Sequence, residues 1–196
     1  MGTGDLRNRS PAPGPRSLFE SPMLIVFDLD GTLVDTLEDL AAAASQLVVE
    51  YGGRPLDPPR VARMVGEGAP LLVERALATA GYGKAPPGAL ARFTAIYANV
   101  MFDHTAAYPG VTALLERLVA SHDLAVLTNK PGRPAEATLD HCGLSGFLAH
   151  RVFGDGDLPR KPDPAGLRWL MAQQGVPAGE TLMVGDSVVD LETARR

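Results

Sequence analysis

Two aspartates one residue apart, Asp28 and Asp30, close the apolar run Met23-Leu24-Ile25-Val26-Phe27, and Gly31 and Thr32 follow at once. A carboxylate delivered at the tip of a buried strand can act as a nucleophile, and a second one beside it can carry a proton. Small-molecule sites in open α/β sheets collect at such C-terminal strand tips. Asp and Gly are also ordinary turn residues, so this stretch alone would equally fit a plain strand-to-turn connection.

Two later apolar runs end in polar tips of the same kind. Leu124-Ala125-Val126-Leu127 leads into Thr128-Asn129-Lys130, and Thr181-Leu182-Met183-Val184 into Gly185-Asp186-Ser187, with Asp190 just beyond and Lys161 upstream. Parallel strands present their C-terminal ends on one edge of a sheet, so the three tips can converge on one crevice. Asp28, Asp30, Asp186 and Asp190 would then repel one another unless a cation sat among them. An all-oxygen set suits Mg²⁺, which also keeps phosphate oxygens in its shell. A carboxylate nucleophile, a neighbouring acid/base, a metal and donors for phosphoryl oxygens are the parts that phosphoryl transfer needs.

The elements that must position these residues alternate. Residues 1–21 are rich in Gly, Pro, Arg and Ser and read as a disordered leader. Residues 22–35 hold the first strand. From 36 to 107 the pattern is helical throughout: Leu37, Leu40, Ala41, Ala44, Leu47 and Val48 recur at helical spacing, with Thr36 and Asp39 as an expected N-terminal cap. Further helical stretches are expected at about 58–65, 69–80 and 87–103, separated by glycine- and proline-rich breaks. Residues 108–196 return to strand and helix in alternation, with Asp163 and Pro164 opening a helix over 165–174. This predicts a doubly wound parallel sheet, Rossmann-like, formed by 22–35 and 108–196, with a helical cap inserted as 36–107.

Composition narrows the function classes. With 196 residues, 45% of them hydrophobic, the chain can bury one sizeable core with room for a lobe. A net charge of -5 and the lack of a dense Lys/Arg run argue against nucleic acid or an anionic membrane as the partner. A small molecule is expected instead. The single cysteine, Cys142, excludes an internal disulfide framework, and no run reaches membrane-spanning length or has the order of a secretory signal. A cytoplasmic protein is expected, with its oligomeric state left open. His104, His122, His141 and His150 show no ligand spacing, and Trp169 is expected to be packing.

Taken together, Asp28-Leu29-Asp30-Gly31-Thr32, Thr128, Lys161 and Gly185-Asp186-Ser187-Val188-Val189-Asp190 resemble, in order and spacing, the four motifs of the haloacid dehalogenase superfamily, from Met23 to Arg196. The resemblance implies that Asp28 attacks phosphorus to form an aspartyl phosphate, while Asp30 protonates the leaving oxygen and then activates water. It implies that Thr128 and the Asn129 backbone bind phosphoryl oxygens, and that Lys161 neutralises charge on Asp28. Gly31 would permit the tight turn, and Thr32 would orient the nucleophile's surroundings. Mg²⁺ would be held by Asp28, Asp186 and the Asp30 carbonyl, with Asp190 supporting the shell.

Softer details are similar to phosphoglycolate phosphatases: Leu33-Val34-Asp35-Thr36, Val65-Gly66-Glu67-Gly68-Ala69, Tyr108-Pro109-Gly110, Thr128-Asn129-Lys130-Pro131 and Lys161-Pro162-Asp163-Pro164. They imply 2-phosphoglycolate as substrate, although pyrophosphate and sugar phosphate phosphatases share some of them. A carboxylated substrate would need a cation from the cap, and Arg63, Arg75 and Lys84 are the visible candidates, with the turn at 66–69 as the expected cap contact. A receiver-like signalling module and a non-catalytic binding protein are the alternatives from other classes. Relatives continue past the Asp190 helix into another strand, whereas this sequence stops at Arg196. The expectation is a core truncated at its C-terminal edge, with the 181–184 strand left unpaired on one side.

Overall fold

Leu24, Ile25, Val26 and Phe27 are each at most 3% exposed, because the strand they form is covered on both faces. A strand buried on both sides is a continuous apolar run without polar alternation. The computed structural model describes residues 22–196; the expected leader lies outside them. This strand, β1 (Leu24–Phe27), is one of the two inner strands of a four-stranded parallel sheet, with β4 (Asp123–Leu127) on one side and β6 (Thr181–Val184) on the other. The fourth strand, β5 (His150–Val152), pairs with β4, so the order is β5-β4-β1-β6. Among the described residues, no strand pairs with the outer side of β6.

Successive side chains along β1 serve different layers, as the two-residue period of a strand requires. Ile25 and Phe27 join Val111, Leu115, Ala135 and Leu139 from α5 (Val111–Leu118) and α6 (Gly132–His141). Leu24 and Val26 join Leu167 and Leu170 of α7 (Ala165–Gln174) on the opposite face. The last helix, α8 (Val188–Arg195), packs against β6. The result is the expected α/β architecture, a parallel sheet wound on both faces.

Between β1 and α5 the chain leaves this sheet. Four helices, α1 (Leu37–Glu50), α2 (Pro58–Ala62), α3 (Ala69–Ala78) and α4 (Ala89–Val100), pack round an apolar cluster of their own that includes Leu47, Val61, Leu77, Phe93 and Ile96. This is the inserted helical cap. Each buried leucine or isoleucine there is worth about 1.5–3 kcal/mol, so the insert is held by its own core as well as by the sheet.

Two short antiparallel strands escaped the sequence pattern: β2 (Val34–Asp35) and β3 (Ala106–Ala107) pair where the insert leaves and rejoins the core. The expected cap at the start of α1 also takes a different form. Thr36 is the N-cap residue but makes no side-chain cap bond. Asp39 turns instead to the returning strand, where its carboxylate accepts from the N–H groups of His104 and Thr105 and from the Thr105 hydroxyl at 2.7 Å. Trp169, expected as packing, is 42% exposed on α7. Among the described residues, no helix is long and apolar enough to cross a membrane.

Candidate active site

The three polar tips meet at one edge of the sheet, and what each side chain does there follows from the element that carries it. Asp28 ends β1 with its main-chain N–H bonded to Val184 O, so β6 fixes the backbone that presents it. Its Oδ1 accepts from Leu29 N–H at 2.7 Å and lies 2.8 Å from Lys161 Nζ. Oδ2 takes no bond from the described residues, and Asp28 is one of the residues that line a cavity. The carboxylate thus has one anchored oxygen and one available oxygen. Burial pushes its pKa up to about 6, with the Lys161 ammonium opposing that rise and the Asp190 charge adding to it.

Lys161 Nζ bridges Asp28 and Asp190, at 2.8 and 2.6 Å, and is almost wholly buried. Its backbone is tied down by Asn129, whose side chain accepts from Lys161 N–H at 2.9 Å and donates to Lys161 O at 3.0 Å. The same amide donates to Gly66 O at 3.0 Å, linking the cap to the sheet edge. The Asn129 side chain therefore works as a strut, which leaves its main-chain N–H, unbonded among the described residues, for an anion. Thr128 Oγ1 accepts from Lys130 N–H at 3.1 Å and keeps its own hydrogen to donate.

The acidic cluster consists of Asp28, Asp186 and Asp190, with one carboxylate oxygen from each within 4.8 Å of the others. Asp190 is saturated: Oδ1 accepts from Lys161, and Oδ2 accepts from both the N–H and hydroxyl of Ser187 in a capping box that starts α8. Asp186 is exposed, has only the Thr32 hydroxyl as donor at 3.0 Å, and has no cationic partner among the described residues. Three carboxylates share one ammonium, so the surplus negative charge and all-oxygen donors fit a hard divalent cation. Asp186 comes this close because Gly31 has no side chain. A Cβ there would lie 2.6 Å from Asp186 Oδ2, and the backbone φ of +86° also favours glycine.

The Asp30 carboxylate stands apart from that cluster, which leaves only its main-chain carbonyl as a ligand candidate. Its Oδ1 accepts from the Thr36 hydroxyl and from Lys130 Nζ, both at 2.8 Å. Nothing in the stretch Thr128-Asn129-Lys130 distinguishes a structural lysine from a solvated one, so the sequence assigns Lys130 no role of its own. In the fold it is buried, donates to Tyr97 Oη of α4 at 2.8 Å, and lies 4.9 Å from the centre of that ring. Burial works against its charge, but Asp30 and Tyr97 outweigh that and hold it above the usual lysine value. Asp30 is therefore tied to the cap by a lysine from β4's tip.

Between these tips and the helical insert lies a cavity of about 510 Å³. Gly66, Gly68 and Ala69 line it, as the turn at 66–69 was expected to do. Arg63, Arg75 and Lys84 do not line it, and Arg75 is engaged by Glu67 and by Met64 O.

The haloacid dehalogenase-like hydrolase family model matches residues 25–196. A Rhodospirillum rubrum protein named phosphoglycolate phosphatase is 46% identical over 182 residues, which cover 89% of this chain and 76% of that protein. A protein of the same name from Pseudomonas syringae pv. tomato is 41% identical over 180 residues, covering 89% of this chain and 66% of its own. The chain thus spans about two thirds of the Pseudomonas relative's length. A crystal structure of a predicted phosphoglycolate phosphatase from Haemophilus somnus superposes with a TM-score of 0.81 at 28% identity, covering 92% of this chain and 83% of that one.

Proposed function

The chain belongs to the haloacid dehalogenase-like hydrolases, and from that premise we propose that it is a phosphomonoesterase that works through an aspartyl phosphate on Asp28, with 2-phosphoglycolate as its substrate. The observation that carries the reading is the division of labour at the sheet edge. Asp28 lines the cavity with one carboxylate oxygen anchored and the other unbonded among the described residues, and a second lining carboxylate, Asp30, is held separately. The names of the similar proteins support the substrate.

The chain's own groups account for both half-reactions. Asp28 Oδ2 attacks phosphorus, the bond to the leaving oxygen breaks, and Asp30 gives that oxygen its proton, releasing glycolate. Asp30, now a carboxylate, takes a proton from water. The resulting hydroxide attacks phosphorus, the bond to Asp28 breaks, and inorganic phosphate leaves. Thr128 Oγ1 and the Asn129 N–H donate to the phosphoryl oxygens, and Lys161 balances the charge of Asp28. Mg²⁺, held by Asp28, Asp186 and the Asp30 carbonyl with Asp190 behind them, would neutralise phosphoryl charge as it builds. The cap excludes water and carries the wall that meets the rest of the substrate.

The cavity is roomier than a two-carbon acid requires, and this favours a second reading, a phosphatase of larger sugar phosphates. One assay separates the possibilities: inorganic phosphate release from a panel of phosphorylated metabolites and p-nitrophenyl phosphate, with Mg²⁺ and with EDTA. Asp28→Asn abolishes turnover while the protein still folds. Turnover by that variant refutes the aspartyl-phosphate route, and a sugar phosphate outrunning 2-phosphoglycolate refutes the substrate assignment.

A further inference from the structure

Resting on the 2-phosphoglycolate reading, we infer that Arg133 determines specificity by pairing with the carboxylate of the leaving group. Two cations line the cavity, Lys130 and Arg133. Lys130 already has its partners, Asp30 and Tyr97. Lys161 is likewise occupied by Asp28 and Asp190. Each lysine balances a carboxylate of the catalytic edge, so neither has charge to spare for a second anion. The Arg133 side chain, exposed although it lines the cavity, forms no ion pair or hydrogen bond with any described residue, so its charge is the one there without a protein partner.

Thr94, Thr128, Asn129 and the 66–69 turn also line the cavity but carry no positive side chain, and much of the remaining wall is apolar. Leu40, Leu72, Phe93 and Met101 are apolar, and an apolar surround strengthens the pairing of any charge that does enter. Nor does Arg133 serve its own helix. It sits in the first turn of α6, where the helix dipole disfavours a cation. Its backbone is nonetheless fixed, because the preceding Gly132 N–H donates to Asp155 Oδ1 at 2.7 Å. Only the side chain is left to adjust. Arg133 follows Thr128 by five residues, just past the β4–α6 connection, and both line the cavity, so we place the phosphoryl group of a short substrate at Thr128 and its other end at the guanidinium. A guanidinium suits a carboxylate because it donates two parallel N–H bonds, which an ammonium cannot do.

The test compares 2-phosphoglycolate with 2-hydroxyethyl phosphate, which has the same two carbons and no carboxylate, in the wild-type protein, Arg133→Gln and Arg133→Lys with Mg²⁺ present. The wild-type protein prefers 2-phosphoglycolate at least about tenfold in kcat/KM. Arg133→Gln lowers that preference at least about tenfold, chiefly through KM, and Arg133→Lys falls between the two. An unchanged preference in Arg133→Gln overturns the role of Arg133 while leaving the substrate assignment intact. A wild-type protein that cleaves p-nitrophenyl phosphate but neither two-carbon ester overturns the substrate assignment, and this inference with it.

Discussion

Lys130→Met removes one ammonium and keeps most of the stem, which makes it a clean probe of the link between the catalytic edge and the cap. In the native structure Lys130 donates to Asp30 and Tyr97 with its side chain 4% exposed, and the Asp30 side chain is 15% exposed. Removing one member of a buried ion pair costs roughly 3–5 kcal/mol, because the remaining charge stays desolvated. Asp30 keeps the Thr36 hydroxyl and some contact with water, so the lower end applies, about 3 kcal/mol. For a chain of this size each kcal/mol shifts Tm by roughly 2–4 °C, which gives a fall of about 6–12 °C. Activity should fall too, since an acid/base that loses its anchor forfeits part of the roughly 10²–10⁴-fold that such groups supply. Thermal unfolding followed by circular dichroism measures the first effect, and initial rates well below the lowered Tm measure the second. A Tm within about 2 °C of the wild-type value would show that water already solvates the pair, and the reasoning from burial would be wrong.

Other consequences concern Asp28 and Asp39. Since burial raises the Asp28 pKa to about 6, the native state holds a proton that the unfolded chain releases nearer pH 4. Metal-free stability attributable to this group therefore declines as pH rises from about 4 to about 6. Mg²⁺ should reverse the trend by binding the carboxylate form, and Asp28→Asn should raise Tm in EDTA at neutral pH; melts against pH with and without Mg²⁺ check both. Asp39 shifts the other way. Burial would raise its pKa, but the bonds from Thr105 and His104 together overcome this and lower it. Here the unfolded state binds more protons, so the stability Asp39 adds is complete above its ordinary pKa and fades as the solution is acidified below it. Asp39→Asn should cost about 2 kcal/mol at neutral pH, the scale of a hydrogen-bonded charge, and lower Tm by roughly 4–8 °C. Urea unfolding at pH 7 and pH 3 should show the difference from wild type shrinking at the lower pH.

Much of this protein could be read along the chain because the information is local. The runs 24–27, 124–127 and 181–184 are apolar without alternation, and a strand with both faces covered has no other form. The helices at 37–50 and 165–174 follow from apolar spacing and punctuation by Gly and Pro. Strands that run parallel expose their tips on one edge, so the strand pattern alone groups Asp28, Thr128, Asp186 and Asp190.

What the chain could not disclose was which partner each charge takes, since that depends on residues far apart in sequence. Lys130 is bonded to Asp30, a hundred positions earlier, and to Tyr97 on α4 of the inserted cap. Asp39 looks like a helix-capping acid until Thr105 arrives beside it, and nothing in the chain shows that the Asn129 side chain braces Lys161 and Gly66 while its backbone N–H stays unbonded. A polar side chain bonds to whatever the packing brings within about 3 Å, and burial determines what that bond is worth. The residue types and their order therefore determined the chemistry on offer, an aspartate-centred site at a parallel sheet edge. Only the tertiary structure decided how the charges pair, which oxygen of Asp28 is left unbonded, and which cation lining the cavity, Arg133, has no protein partner.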